Sequence, residues 1–220
     1  MENDDDKVPA VPGKNPFEDY ADRVDNTMLL GALLKFTKGD YLIGRDGEEC
    51  PVQEVVALMP GIMAGWIRWE DNFPVEHKMG LLLDGFVTPA RATLGHLDQS
   101  LWDVDSNGKP RDPWQENVYL PVITVDADVI YTFTTSSDGG RRRAIAPLCR
   151  EYGSRVRQHP DEIPVIPLGQ DSYLHPDRAI GRVKFPLFTP IKRWVKAEPY
   201  LAAVLSLTGK SLKALPGKAA

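Results

Sequence analysis

Three consecutive arginines, Arg141, Arg142 and Arg143, follow the turn Ser136-Ser137-Asp138-Gly139-Gly140, and a second basic set, Arg182, Lys184 and Arg193, interleaves with Phe185, Phe188 and Trp194. Cations that track a phosphate backbone and rings that stack on bases are what sequence-tolerant binders of single-stranded nucleic acid require. A strand that enters Gly139-Gly140 and leaves as a helix also turns backbone N–H groups toward an anion. Three cations at a helix start oppose its macrodipole unless a phosphate or a carboxylate offsets them. Trp69, beside Arg68 in a strand-like run, adds a possible stacking ring. The expected nucleic-acid set is Arg141, Arg142, Arg143, Arg182, Lys184, Arg193, Trp69 and Trp194. The competing expectation is an ordinary amphipathic strand with aromatics inward and charges outward, and a Trp69 covered by a neighbouring loop.

A second chemistry is sketched by Asp103-x-Asp105-x-Asn107-Gly108. Alternate oxygens ahead of a glycine form the first half of a calcium loop, but the twelfth position, where a bidentate glutamate belongs, is Trp114. Asp103, Asp105 and Asn107 are thus metal candidates in an incomplete motif, and a solvated turn is the simpler expectation. His96 and Asp98 with the nearby aspartates raise a metal-dependent phosphodiesterase as an alternative. The four histidines show no HExxH or HxH grouping, there is no G-x-S-x-G elbow, and Gly139-Gly140 is followed by arginine rather than the Lys-Ser/Thr of a phosphate loop. These absences point away from an enzyme, and no cofactor is expected.

The formal net charge of −5 is unevenly spread: residues 1–30 carry −5, residues 31–137 carry −8 and residues 138–220 carry +8. A basic final third behind an acidic body hints at a polyanion-facing surface at one end. Hydrophobic residues make up 42% of the chain, and no run approaches the roughly 18 to 20 apolar residues of a membrane span. The N-terminus, Met1-Glu2-Asn3-Asp4-Asp5-Asp6, is acidic where a signal peptide would be basic, so the expected address is cytoplasmic. Cys50 and Cys149 make no metal-ligand pair and are expected to be free thiols.

Residues 1–24 read as a disordered acidic tail, able to recruit a replication protein, and 25–197 as a single β-rich domain. Within it, Lys35–Gly44, Val55–Trp69, Val118–Val125 and Ala127–Thr135 have strand character, with 71–117 as a loop insertion. A short helix over Arg141–Tyr152 contains Pro147 and stops at Gly153. Ile163–Leu168 and Ile180–Phe188 follow as strands that their prolines should confine to edges or bulges. Residues 198–220 read as a short helix and a flexible basic tail. Strands, a helix, then more strands is the order of an OB-like β-barrel, a fold that commonly binds single strands.

The run Thr134-Thr135-Ser136-Ser137-Asp138-Gly139-Gly140-Arg141, with Leu148, Tyr152 and a proline-punctuated β segment up to Trp194, resembles uncharacterised proteins of bacteriophages and prophages over roughly residues 35–195. The resemblance implies accessory work in replication or recombination and carries over no catalytic residue. The expected function is therefore binding of single-stranded nucleic acid, DNA ahead of RNA. A phage structural or protein-interaction module is the alternative of a different class.

Overall fold

The computed structural model describes residues 29–44, 46–104, 108–176, 178 and 181–209. The acidic segment 1–24, the metal candidates Asp105 and Asn107, and the basic end 210–220 lie outside the described residues. Twelve strands are described: β1 (Ala32–Thr37), β2 (Asp40–Ile43), β3 (Glu48–Glu49), β4 (Glu54–Ala57), β5 (Met63–Glu70), β6 (Phe73–Leu81), β7 (Trp114–Ile123), β8 (Ile130–Thr135), β9 (Glu162–Pro167), β10 (Gly169–Leu174), β11 (Arg182–Leu187) and β12 (Arg193–Lys196). The helices are α1 (Ala146–Arg155) and α2 (Leu201–Thr208). No helix among the described residues is long and apolar enough to cross a membrane.

The chain is mostly β, as its β-branched runs predict, but ten of the strands form one sheet that is open rather than barrel-like. Its order is β12-β9-β4-β7-β8-β1-β2-β3, with β5 beside β7 and β6 beside β5. Strands β3, β6 and β12 each have one partner strand, so the sheet does not close among the described residues. All pairings in it are antiparallel except that of β1 with β8, which brings Leu34 opposite Phe133.

β7 organises the sheet because it is shared along its length. Its first half pairs with β5 as far as Tyr119↔Met63, and its end pairs with β4 from Val122↔Ala57. Pro121, which has no N–H to give, falls in the gap between those two partners, where its carbonyl accepts from Leu58 N at 3.0 Å.

Successive side chains of a strand point to opposite faces, and β4 is covered on both. Val55 and Ala57 enter a core with Leu120, Phe133, Ile166 and Leu148 of α1. Val56 and the following Leu58 enter a second core with Ile163, Val165, Tyr200 and Val204 of α2. One helix therefore lies against each face of the sheet. α2 follows Pro199 and stops at Gly209, whose φ of 63° is left-handed.

Four local expectations change. The segment 71–117 is not all loop: Phe73–Leu81 is β6, joined to β5 by Asp71 and Asn72, whose φ values of 50° and 64° mark a two-residue type I′ turn. Lys35–Gly44 is a hairpin rather than one strand, because Lys38 and Gly39 both take positive φ. Gly153 does not end the helix, which runs to Arg155. β9 is not an edge but lies between β4 and β12. Its prolines are tolerated because Pro167 is the end of the strand and Pro164 lies past the last β4 pair, Val56↔Val165. β10 and β11 form a separate two-stranded ribbon.

Candidate nucleic-acid interface

Ser137 opens the helical segment: its Oγ accepts from Gly140 N at 3.0 Å, and Asp138 occupies the first turn, where a carboxylate complements the macrodipole. The arginines therefore do not start the helix. They occupy a π-helical turn, Arg141–Ile145, that leads into α1. Pro147, near the start of α1, lacks an N–H for the carbonyl four residues back. Successive side chains of a helical turn leave the axis in different directions, and the three arginines take three roles.

Arg141 points inward. It pairs with Glu116 of β7 and with Asp138 at 2.8 Å, and its Nε is buried without a partner among the described residues. Burial, and secondarily Arg142, lower its pKa. Arg142 is the outermost, with 81% of its side chain exposed, and among the described residues it pairs with Asp138 alone, at 3.3 Å. Arg143 lies over the ribbon, its guanidinium 4.3 Å from the Tyr173 ring centre and 5.2 Å from that of Phe185.

The ribbon register explains that stack. Tyr173 pairs with Val183 and Asp171 with Phe185, so Tyr173 and Phe185 share one face, with ring centres 6.2 Å apart. Ser172↔Lys184 and Leu174↔Arg182 occupy the other face. There, Arg182 donates to Ser172 Oγ at 3.0 Å. Lys184 lays its stem across the β1–β2 turn, so close that a Cβ at Gly39 would sit 2.4 Å from its Cδ. Arg142, Arg143, Arg182 and Lys184 are all exposed.

The other candidates are engaged elsewhere. Arg193 makes a bidentate pair with Glu54 at 2.9 and 2.6 Å, clamping β12 to β4 across β9. That hydrogen bonding, ahead of any other cause, lowers the Glu54 pKa. Trp194 is half-buried and stacked 4.1 Å from His159 and 5.8 Å from Tyr152, centre to centre, with Arg155 over the ring at 5.9 Å. Trp69 is also half-buried; its indole N–H is enclosed and unpartnered among the described residues, in a cleft with His96, Trp102 and Asp103. That cleft shares no lining residue with the arginine turn or the ribbon.

Among the described residues no three His, Cys, Asp or Glu side chains gather as a metal site. Asp103 lies in the Trp69 cleft, while Asp112 is gripped by Arg91 at 2.7 and 2.8 Å and Asp98 caps a short turn through Ser100. His96 Nδ1 faces the Trp114 indole N–H at 3.4 Å. Cys50 and Cys149 are free and half-buried.

Replacing Trp194 by alanine is expected to cost about 1 to 3 kcal/mol of stability through the loss of two ring contacts, each worth roughly 0.5 to 1.5 kcal/mol beyond area burial. Oligonucleotide affinity should stay unchanged. Denaturation and fluorescence titration of one preparation check both, and lost affinity at wild-type stability would return the ring to the interface.

Sequence reasoning missed Tyr173, because β10 (Gly169-Gln170-Asp171-Ser172-Tyr173-Leu174) has no apolar alternation to mark a strand. The available signal was a tyrosine followed, across a short polar loop, by an aromatic-basic run. No protein family, curated protein or solved structure matches this chain.

Proposed function

We propose that this chain binds single-stranded nucleic acid, DNA in the first instance, on the surface formed by the arginine turn and the β10–β11 ribbon. The observation that carries the reading is the Arg143 guanidinium lying over Tyr173 and Phe185 next to the exposed Arg142, with Arg182 and Lys184 exposed on the opposite face of the narrow two-stranded ribbon. A planar cation laid on an aromatic ring presents its other face to a base, and its neighbours supply phosphate contacts without base selection. In this reading the ribbon takes the role that an OB-like strand face plays elsewhere. The binding is accessory, in keeping with the replication or recombination context that the resemblance to uncharacterised phage proteins implies. It uses no catalytic group.

Anisotropy titration of labelled oligo-dT at two salt concentrations tests it. Affinity is expected to fall with salt, and changing Arg142, Arg143, Arg182 and Lys184 together to alanine should flatten the log–log salt slope by up to about three, at roughly 0.7 per contact. These side chains are exposed, so the fold is retained. Absence of binding at low salt overturns the proposal.

A protein-interaction module is the second reading, favoured by large apolar side chains left in the open: Phe73 is 68% exposed, Val87 81% and Leu101 82%. It gains if oligonucleotide binding fails.

A further inference from the structure

α1 and two 3-10 turns, Met59–Gly61 and Leu82–Asp84, enclose a cleft of about 310 Å³. Met59, Ile62 and Leu83 form one wall. Cys149, Tyr152, Gly153 and Val156 form the other, at the spacing that places residues on one face of a helix. The size lies at the lower end of small-molecule pockets, roughly 300 to 1,000 Å³, and the composition is theirs as well: apolar walls with few polar groups.

Those polar groups are specific. Arg157, exposed at the rim, is the single charged residue lining the cleft, and it makes no ion pair among the described residues. Its neighbour Arg155 differs in this, being held by Glu151 at 2.9 Å. The Tyr152 hydroxyl, whose pKa burial pushes up to about 12, bonds to no group among the described residues. An uncommitted guanidinium at an apolar cleft selects strongly among ligands. A neutral hydrophobe gains nothing from the cation, a cation is repelled, and a nucleic-acid strand carries too much charge for apolar walls. A carboxylate on an apolar body satisfies both parts, and guanidinium is the side chain best shaped to receive it.

We propose that the cleft under α1 binds a small amphipathic monoanion, an apolar chain or ring ending in a carboxylate, with Arg157 taking the carboxylate and Met59, Ile62, Leu83 and Tyr152 the apolar part. The inference is independent of nucleic-acid binding.

Octanoate is the probe, with 1-octanol and octylamine as controls of equal length, applied to the full chain. Cys149 lines the cleft and Cys50 does not. The rate of iodoacetamide alkylation at each, followed by peptide mass spectrometry, therefore reports occupancy with an internal reference. Octanoate is expected to slow Cys149 severalfold and saturably while leaving Cys50 unchanged. The Arg157→Gln variant should raise the half-protecting concentration about tenfold, the loss of one charge-assisted pair. Gly153→Leu supplies a variant that blocks the cleft without threatening the fold, since a Cβ there meets nothing within 4 Å and leucine is the better helix former. It should abolish protection. Equal protection by 1-octanol, equal protection of both cysteines, or none at millimolar octanoate would each overturn the proposal.

Discussion

Changing Phe133 to alanine is expected to remove about 3 to 5 kcal/mol of stability, the usual cost of emptying a buried aromatic site. In a chain of this size that lowers the melting temperature by roughly 6 to 20 °C, at about 2 to 4 °C per kcal/mol. Phe133 is 1% exposed and lies mid-strand in β8, opposite Leu120 of β7 on one side and Leu34 of β1 on the other. Its ring meets Phe188 edge-on, centres 4.9 Å apart, and Tyr41 at 6.4 Å. Phe188 follows β11, so this contact fastens the ribbon to the sheet, and the alanine cavity opens where sheet, ribbon and α1 meet. Neighbours fixed by backbone pairing cannot collapse into it. Chemical denaturation with an unchanged m-value measures the loss, and a cost under about 1 kcal/mol would show that the site closes over.

Gly65→Ala should be as damaging for a different reason. Gly65 has φ of +150°, and a Cβ there would stand 2.1 Å from the Lys78 carbonyl oxygen and 2.7 Å from Met79 Cα. Both are backbone atoms of β6, and β7 closes the other side, so nothing flexible can yield. Backbone strain of this kind costs about 1 to 3 kcal/mol, and the β5–β6 pairing must distort in addition. The expected signature is local. Amide protection across Gly65↔Met79 is lost while that across β7 and β8 persists, which hydrogen exchange distinguishes from global unfolding.

The strands that could be read from sequence are those whose burial is written locally. β8, β9 and β7 from Val118 onward are runs of apolar and β-branched residues and were recognised without a neighbour, whereas the polar start of β7, Trp114-Gln115-Glu116-Asn117, read as loop. β6 escaped because Pro74 and a turn without glycine resemble a break, whereas Asp and Asn accept left-handed geometry through their short polar side chains. The sheet order escaped because β1 and β8 pair across nearly a hundred residues, a contact with no local imprint.

The same limit governed the arginines. Their clustering was visible, but which of them is free depends on Glu116 for Arg141 and Glu54 for Arg193, partners distant in sequence. Arg142 and Arg143 lie only one and two positions after Arg141. Which one points to β7, which to solvent and which to the ribbon is decided by how the helical turn docks on Glu116 and Tyr173.

An open sheet leaves strand edges, and unpaired edges invite other chains to add to them in the manner of amyloid. Here the three single-partner strands are each defended. β3 is two residues long, both glutamate, and β12 carries Arg193 and Lys196. β6, at nine residues the long one, has Pro74 beside a register shift and alternates Glu76 and Lys78 along its middle. Edge-to-edge association is therefore opposed by Glu48, Glu49, Glu76, Lys78, Arg193 and Lys196 at the sheet margins, and a neutral or apolar change at Glu76 or Lys78 weakens that opposition without disturbing either core.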